Sequence, residues 1–160
     1  MYQVGDKVMH KQEGACFIKS VVSMKMGTEL KDYFLLEPLL NAKTSVYVSI
    51  NSDKQENIRP VIDVEELQTA LLEATDSPLE WVDNPKLRLL NYTKVMAMFR
   101  FQDTLQTMGC LLLQNDRKKL SAKDELFLVT VKKLIYSEIA IVKNIDYAKI
   151  AANPEKYMTA

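Results

Sequence analysis

The chain has 160 residues, 48% of them hydrophobic, with 21 basic and 21 acidic side chains and a formal net charge of zero. That length suits one ordinary domain or two small ones. The charge balance excludes a protein that holds nucleic acid alone by phosphate neutralisation, since such proteins carry a basic excess.

The first sixty or so residues read as β structure. "VGDKV" fits a first strand opened by a Gly-Asp turn. "GACFIKSVVSMKM" is rich in β-branched and aromatic residues, and "KDYFLLEPL" follows the turn-like "GTEL". In "TSVYVSI", Val46, Val48 and Ile50 alternate with Ser45, Tyr47 and Ser49, the period of a half-buried strand. "NSDKQEN" reads as a polar loop, and "IRPVI" leaves it. Short strands and small turns over this length predict a small, strongly bent antiparallel barrel.

From "RPVIDVEELQTALLEA" onward the pattern is helical. Asp63 with Glu66 has the form of a capping box, and Val64, Leu67, Leu71 and Leu72 recur at helical spacing. Asn84 before Pro85 predicts a capped second helix lined by Leu87, Leu90, Val95 and Met98. A third helix places Phe101, Leu105, Met108 and Leu112 on one face, and Gly109 costs it roughly 1 kcal/mol relative to alanine. A fourth is capped by Ser121 with Asp124 and is expected to bury Leu126, Val129, Leu134 and Ile139. A short helical turn ends near Pro154. The expected fold is therefore α+β with two domains: a β-barrel over residues 1–60 and an all-helical bundle over 61–160.

No stretch reaches the ~18 apolar residues of a membrane span, and the first residues lack the apolar core of a signal peptide, so a cytoplasmic protein is expected. Cys16 and Cys110 have no CxxC partner and read as small buried apolar residues. His10 is the single histidine and has no ligand-type neighbour at metal spacing, so it reads as an ordinary turn or strand residue. No phosphate loop, dinucleotide turn, zinc-protease or nucleophile-elbow motif occurs. The acidic pairs Glu65–Glu66 and Asp124–Glu125 fall in first helical turns, where the macrodipole accounts for them. The chain reads as non-enzymatic, without cofactor or metal.

Two features admit a nucleic-acid reading beside a structural one. The single tryptophan, Trp81, precedes a helix that opens with Lys86 and Arg88. One reading makes it a hydrophobic staple or a plug between helices. The other makes it a wedge for a DNA groove beside phosphate-seeking groups. The basic run Arg117, Lys118, Lys119 and Lys123 spans a helix end and the next helix start. It reads either as a solvated corner or as a phosphate contact.

The order "YQVGDKVMHKQEGACFIKSV", "KDYFLLEPL", "SVYVSIN", "NIRPVI", "EWVDNPKLR" and "KKLSAKDELFLVTVKKLIYSEIA" resembles the CarD/CdnL family of bacterial transcription regulators. The N-terminal part is also similar to the RNA-polymerase-interacting domain of transcription-repair coupling factors. The resemblance implies a Tudor-like barrel that docks strand to strand on the β subunit of RNA polymerase. It further implies a helical domain that leans on promoter DNA at the upstream edge of the melted bubble. On that reading Trp81, Lys86, Arg88, Arg117, Lys118, Lys119 and Lys123 face DNA without reading its sequence. Met24, Tyr47, Val46 and Val48 face the polymerase, and the protein acts as a monomer. Related proteins carry arginines where Met24 and Tyr47 stand, and are more basic where Asp83 follows the tryptophan. The rival expectations are a pure protein-interaction module, with Trp81 as core or interface anchor, and a small enzyme.

Overall fold

The computed structural model describes residues 2–50 and 57–159. The expected polar loop 51–57 lies almost wholly outside the described residues. The strands are β1 (Lys7–His10), β2 (Gly14–Met26), β3 (Glu29–Pro38), β4 (Val46–Ser49) and β5 (Ile58–Pro60). The helices are α1 (Val64–Asp76), α2 (Pro85–Met98), α3 (Phe101–Arg117), α4 (Ala122–Lys143), α5 (Tyr147–Ala152) and α6 (Pro154–Tyr157). The fold is α+β, and no helix among the described residues is long and apolar enough to cross a membrane.

The expected barrel does not close. The sheet runs β4-β3-β2-β1-β5 and is antiparallel throughout, which leaves β4 and β5 as edges. Their four and three residues offer little ladder to pair across a closure. The sheet nevertheless curls round its own core. Val48 of β4 and Ile58 of β5 reach one apolar cluster with Val8, Cys16, Ile18, Phe34 and Leu36. A register shift between Ile18 and Ser20 in β2 supplies a bulge, which bends and twists the strand. Burial pushes the Cys16 thiol up to about 12, so it behaves as a core apolar group.

The other face of the sheet lies against α4. Met9 and Ala15 pack there with Leu134 and Ile141, and Phe99 joins them. The contact is close because Gly14 has no side chain: its φ is +79° and an added Cβ would sit 2.7 Å from Ser137 Oγ. Ser137 Oγ accepts the Ala15 N–H at 3.0 Å. Lys133 of α4 donates from Nζ to the Gln12 carbonyl at 3.0 Å. Lys7 Nζ donates to the Ile141 carbonyl at 3.3 Å. At the far edge Arg59 of β5 forms a forked pair with Glu138 of α4, both bonds 2.7 Å, and Glu138 also accepts the Ile62 N–H. Arg59 Nε donates to the Phe99 carbonyl at 2.7 Å, and its guanidinium lies 4.8 Å from the Phe99 ring centre. Phe99 ends α2 at φ +52°, a conformation uncommon for a non-glycine residue.

The helices share an apolar cluster that runs from Leu67 and Leu71 of α1 through Tyr92, Leu105, Met108 and Leu111 to Val131, Ile135 and Ile139 of α4 and Ile150 of α5. The predicted caps form: Asp63, Asn84 and Ser121 each accept backbone N–H bonds at their helix starts. The predicted buried faces of α2 and α4 shift. Leu126 and Val129 are 70% and 64% exposed, and Leu87 and Leu90 are also exposed. Leu134 and Ile139 are buried as expected, and in the first half of α4 the buried residues are Asp124, Leu128 and Val131 rather than Leu126 and Val129. Val64, Leu72 and Met98 are likewise exposed.

His10 is buried, and its Nδ1 accepts the N–H groups of Gln12 and Glu13 at 3.2 Å each. It thus caps the β1–β2 turn as a neutral imidazole. Burial lowers its pKa; Glu13 opposes this and Lys133 adds to it. The stabilisation is complete above the ordinary imidazole value of 6.5 and is lost as pH falls through the lowered folded value. Wild type is therefore expected to lose more thermal stability on acidification below pH 6.5 than His10→Gln does. Thermal melts across that range check this; parallel pH profiles for the two proteins contradict it.

Candidate nucleic-acid interface

Trp81 lies in the irregular segment between α1 and α2 and is partly buried. It packs against the helical cluster. The segment has no ladder of its own, and side chains hold it. Asn84 Oδ1 accepts the Lys86 and Leu87 N–H groups, and Pro85 occupies the first helical position. Arg88, one turn further on, reaches back. Its Nη1 donates to the carbonyls of Val82 and Asp83, each at 2.9 Å. Its guanidinium carbon lies 4.3 Å from the indole centre, within cation–π range. Nε and Nη2 fork onto Asp124 at 3.3 and 2.9 Å.

Asp124 is held from three further directions. Tyr92 Oη donates to it at 2.8 Å, Ser121 Oγ donates at 2.7 Å, and its own N–H donates to Ser121 Oγ. Burial alone would raise the Asp124 pKa; the hydrogen bonds from Arg88, Ser121 and Tyr92 outweigh it and hold the carboxyl below its ordinary range. Burial, with the Asp124 carboxylate beside it, raises the Tyr92 phenol pKa, and Tyr92 remains the donor. The Tyr92 ring also stacks on Phe127, with centres 4.0 Å apart.

Two hollows meet at Trp81. One, of about 470 Å³, is lined by Trp81, Asp83, Arg88, Lys118, Lys119 and Asp124 with neighbours from the α3–α4 turn. The other, of about 290 Å³, runs between α2 and α3 and is mainly apolar, with Tyr92, Val95, Met98 and Cys110 in its wall. Arg88 and Asp124 cancel within the first hollow, which leaves Lys118 and Lys119 against Asp83.

The structure thus brings together Trp81, Arg88, Lys118 and Lys119 from the residues singled out in the sequence. Lys86, Arg117 and Lys123 are exposed but line neither hollow. Arg88 is not a free cation: its side chain is 12% exposed and its charge is spent on Asp124. Asp124 itself is the residue that sequence reasoning missed. The pairing of Arg88 and Tyr92, four residues apart on one helix face, is the signal that a buried acidic partner lay opposite.

On the sheet, the pairings Met24↔Lys31 and Leu35↔Tyr47 set Met24 and Tyr47 on one face, with Val22, Tyr33 and Leu35 between them. Tyr47 is 48% exposed and Met24 half-buried. Val46 and Val48 point to the opposite face and belong to the sheet's own core, so their side chains are not on the Met24–Tyr47 face. Among the described residues no group of three or more His, Cys, Asp or Glu side chains is placed to hold a metal.

Comparison with known proteins bears on the first part of the chain most directly. Residues 2–62 match the family model of the CarD-like/TRCF RID domain. A protein of Bacillus subtilis (strain 168) named "Putative transcription factor YdeB" is 22% identical over 154 residues, covering 94% of this chain and 97% of the relative. The matched stretch spans all five strands and the Arg59 joint with α4. Residues 2–62 are thus similar to the CarD-like/TRCF RID domain, and over nearly its whole length the chain is distantly similar to a protein named as a transcription factor.

Proposed function

We propose that the protein is a CarD-like transcription regulator that binds RNA polymerase and stabilises open promoter complexes. The sheet, a Tudor-like unit over residues 1–60, docks on the β subunit through the Met24–Tyr47 face and the β4 edge. β-Augmentation draws its affinity from backbone bonds, so the lack of arginines at these two positions leaves that mode available. The helical unit over residues 61–160 meets promoter DNA. Trp81 enters the minor groove at the bubble edge, and Lys118 and Lys119 hold the neighbouring phosphate backbone. Polymerase supplies the local concentration, which suits a chain of zero net charge. The observation that carries this reading is the meeting of a partly exposed indole and two lysines at one hollow, in a chain whose residues 2–62 match the CarD-like/TRCF RID domain model. The protein acts as a cytoplasmic monomer without catalytic chemistry.

The lifetime of promoter open complexes with the cognate RNA polymerase tests it. Wild type is expected to lengthen the lifetime, and Trp81→Ala, shown folded by circular dichroism, to remove about tenfold, the equivalent of about 1.4 kcal/mol. That lies within the few kcal/mol of an unstacked base step. A wild type without effect overturns the reading.

A second reading, a protein-interaction module, draws on the exposed Leu87 and Leu90 of α2 and Leu126 and Val129 of α4. In that case the association is insensitive to salt, whereas phosphate contacts release counterions.

A further inference from the structure

We propose that Arg88 is a positioning residue: it clamps the Trp81–Asp83 segment to the start of α4 and so presents the indole in one orientation, without itself touching phosphate. The use of that orientation for DNA rests on the function proposed above; the clamp itself is testable without it.

The segment from Ser77 to Asn84 contains no regular structure, so its backbone would sample many conformations unless tied down. Its ends are held by Gln106 Nε2 on the Ser77 carbonyl and by the Asn84 cap, and one guanidinium ties the stretch that carries the indole. It bonds the two carbonyls that immediately follow Trp81, at 2.9 Å each. It covers one face of the indole, at 4.3 Å. Its remaining edge forks onto Asp124. The anchor is firm because Asp124 is 4% exposed in its side chain and is bonded by Tyr92 and Ser121 as well. Tyr92 is stacked on Phe127 of the same helix that carries Asp124. A mobile indole would have to be ordered on every encounter; a clamped one is ordered beforehand, and pre-organisation raises affinity by removing that cost. A planar fork suits the task. Lysine offers one point charge and cannot bond two carbonyls, a carboxylate and a ring face at once.

Trp81 is the single tryptophan, so the protein's tryptophan fluorescence reports this residue alone. The full chain is compared as wild type, Arg88→Met, Arg88→Lys and Asp124→Asn, with circular dichroism as the check on folding. The clamp predicts lower Trp81 anisotropy and greater acrylamide quenching in all three variants. Arg88→Lys is expected to fail to restore order although it keeps the charge. In open-complex assays the Arg88 variants are expected to lose most of the lifetime gain that Trp81→Ala loses. The dependence of complex lifetime on salt is expected to keep the wild-type slope, whereas loss of a phosphate contact lowers the slope by about 1. Unchanged anisotropy and quenching in folded Arg88→Met overturn the clamp, as does wild-type order in Arg88→Lys. If Arg88→Met fails to fold, Arg88→Lys and Asp124→Asn decide by the same two fluorescence readings. A lower salt slope with an unmoved indole overturns it too and makes Arg88 a DNA contact. If Trp81→Ala leaves the complex lifetime unchanged, the DNA reading fails, and the fluorescence of the Arg88 variants still decides the clamp.

Discussion

Arg59→Met is expected to cost about 3–5 kcal/mol of folding stability, the usual loss when one partner of a buried ion pair is removed. The reason is what it leaves behind. Glu138 is 1% exposed in its side chain, and Arg59 is 21% exposed. Without the guanidinium, Glu138 retains the Ile62 N–H as its hydrogen-bond donor and cannot reach water. The same change frees the Phe99 carbonyl and uncovers the Phe99 ring. Urea denaturation measures the loss. Arg59→Met combined with Glu138→Leu is expected to recover a large part of it, because an apolar pair asks for no desolvation of charge. A loss below about 1 kcal/mol for Arg59→Met, the size of an exposed pair, contradicts this account.

Gly14→Ala is expected to cost about 2–5 kcal/mol. Two physical terms add. A left-handed φ of +79° strains any residue with a Cβ, by about 1–2 kcal/mol. The new methyl would also stand 2.7 Å from Ser137 Oγ, inside contact distance. Crowding a packed site costs about 1–3 kcal/mol. Ser137 cannot simply turn away, since its hydroxyl holds the Ala15 N–H and bonds the Leu134 carbonyl. The double variant Gly14→Ala with Ser137→Ala separates the terms. It is expected to be less destabilised than the sum of the single variants, because the crowding is present only when both side chains are. Strict additivity in denaturant melts would assign the whole cost to the backbone.

What the sequence discloses here follows from range. Asp63, Asn84 and Ser121 were legible as caps because a cap acts over two or three residues. The alternation of Val46, Val48 and Ile50 was legible because strand period is local, and all three do face the sheet core. The open sheet was not, since closure depends on whether two distant edges meet. The first half of the buried α4 stripe was misplaced, while Leu134 and Ile139 were placed correctly, because the helix is apolar on more than one side: Leu126 and Val129 fit a helical period as well as Leu128 and Val131 do. Periodicity counts stripes without choosing among them; the partners choose. Trp81 was legible as a candidate by its rarity and its flanks. Arg88 was legible as a member of the site but not in its duty, which depends on Asp124, 36 residues away. Arg59 and Glu138 are 79 residues apart and carry no local signature of each other.

The joint between the sheet and α4 has a geometric consequence. Gly14 against Ser137, Arg59 against Glu138, and Lys133 on the Gln12 carbonyl fix three separate points between the two parts. On the helix side all three fall within residues 133–138, so one short stretch of α4 carries the joint. Through that stretch the sheet that carries the Met24–Tyr47 face is tied to the same helix whose Asp124 holds Arg88 against the indole. Under the function proposed above, a molecule so joined would select a position by measuring from its place of attachment, with no side chain that reads a base.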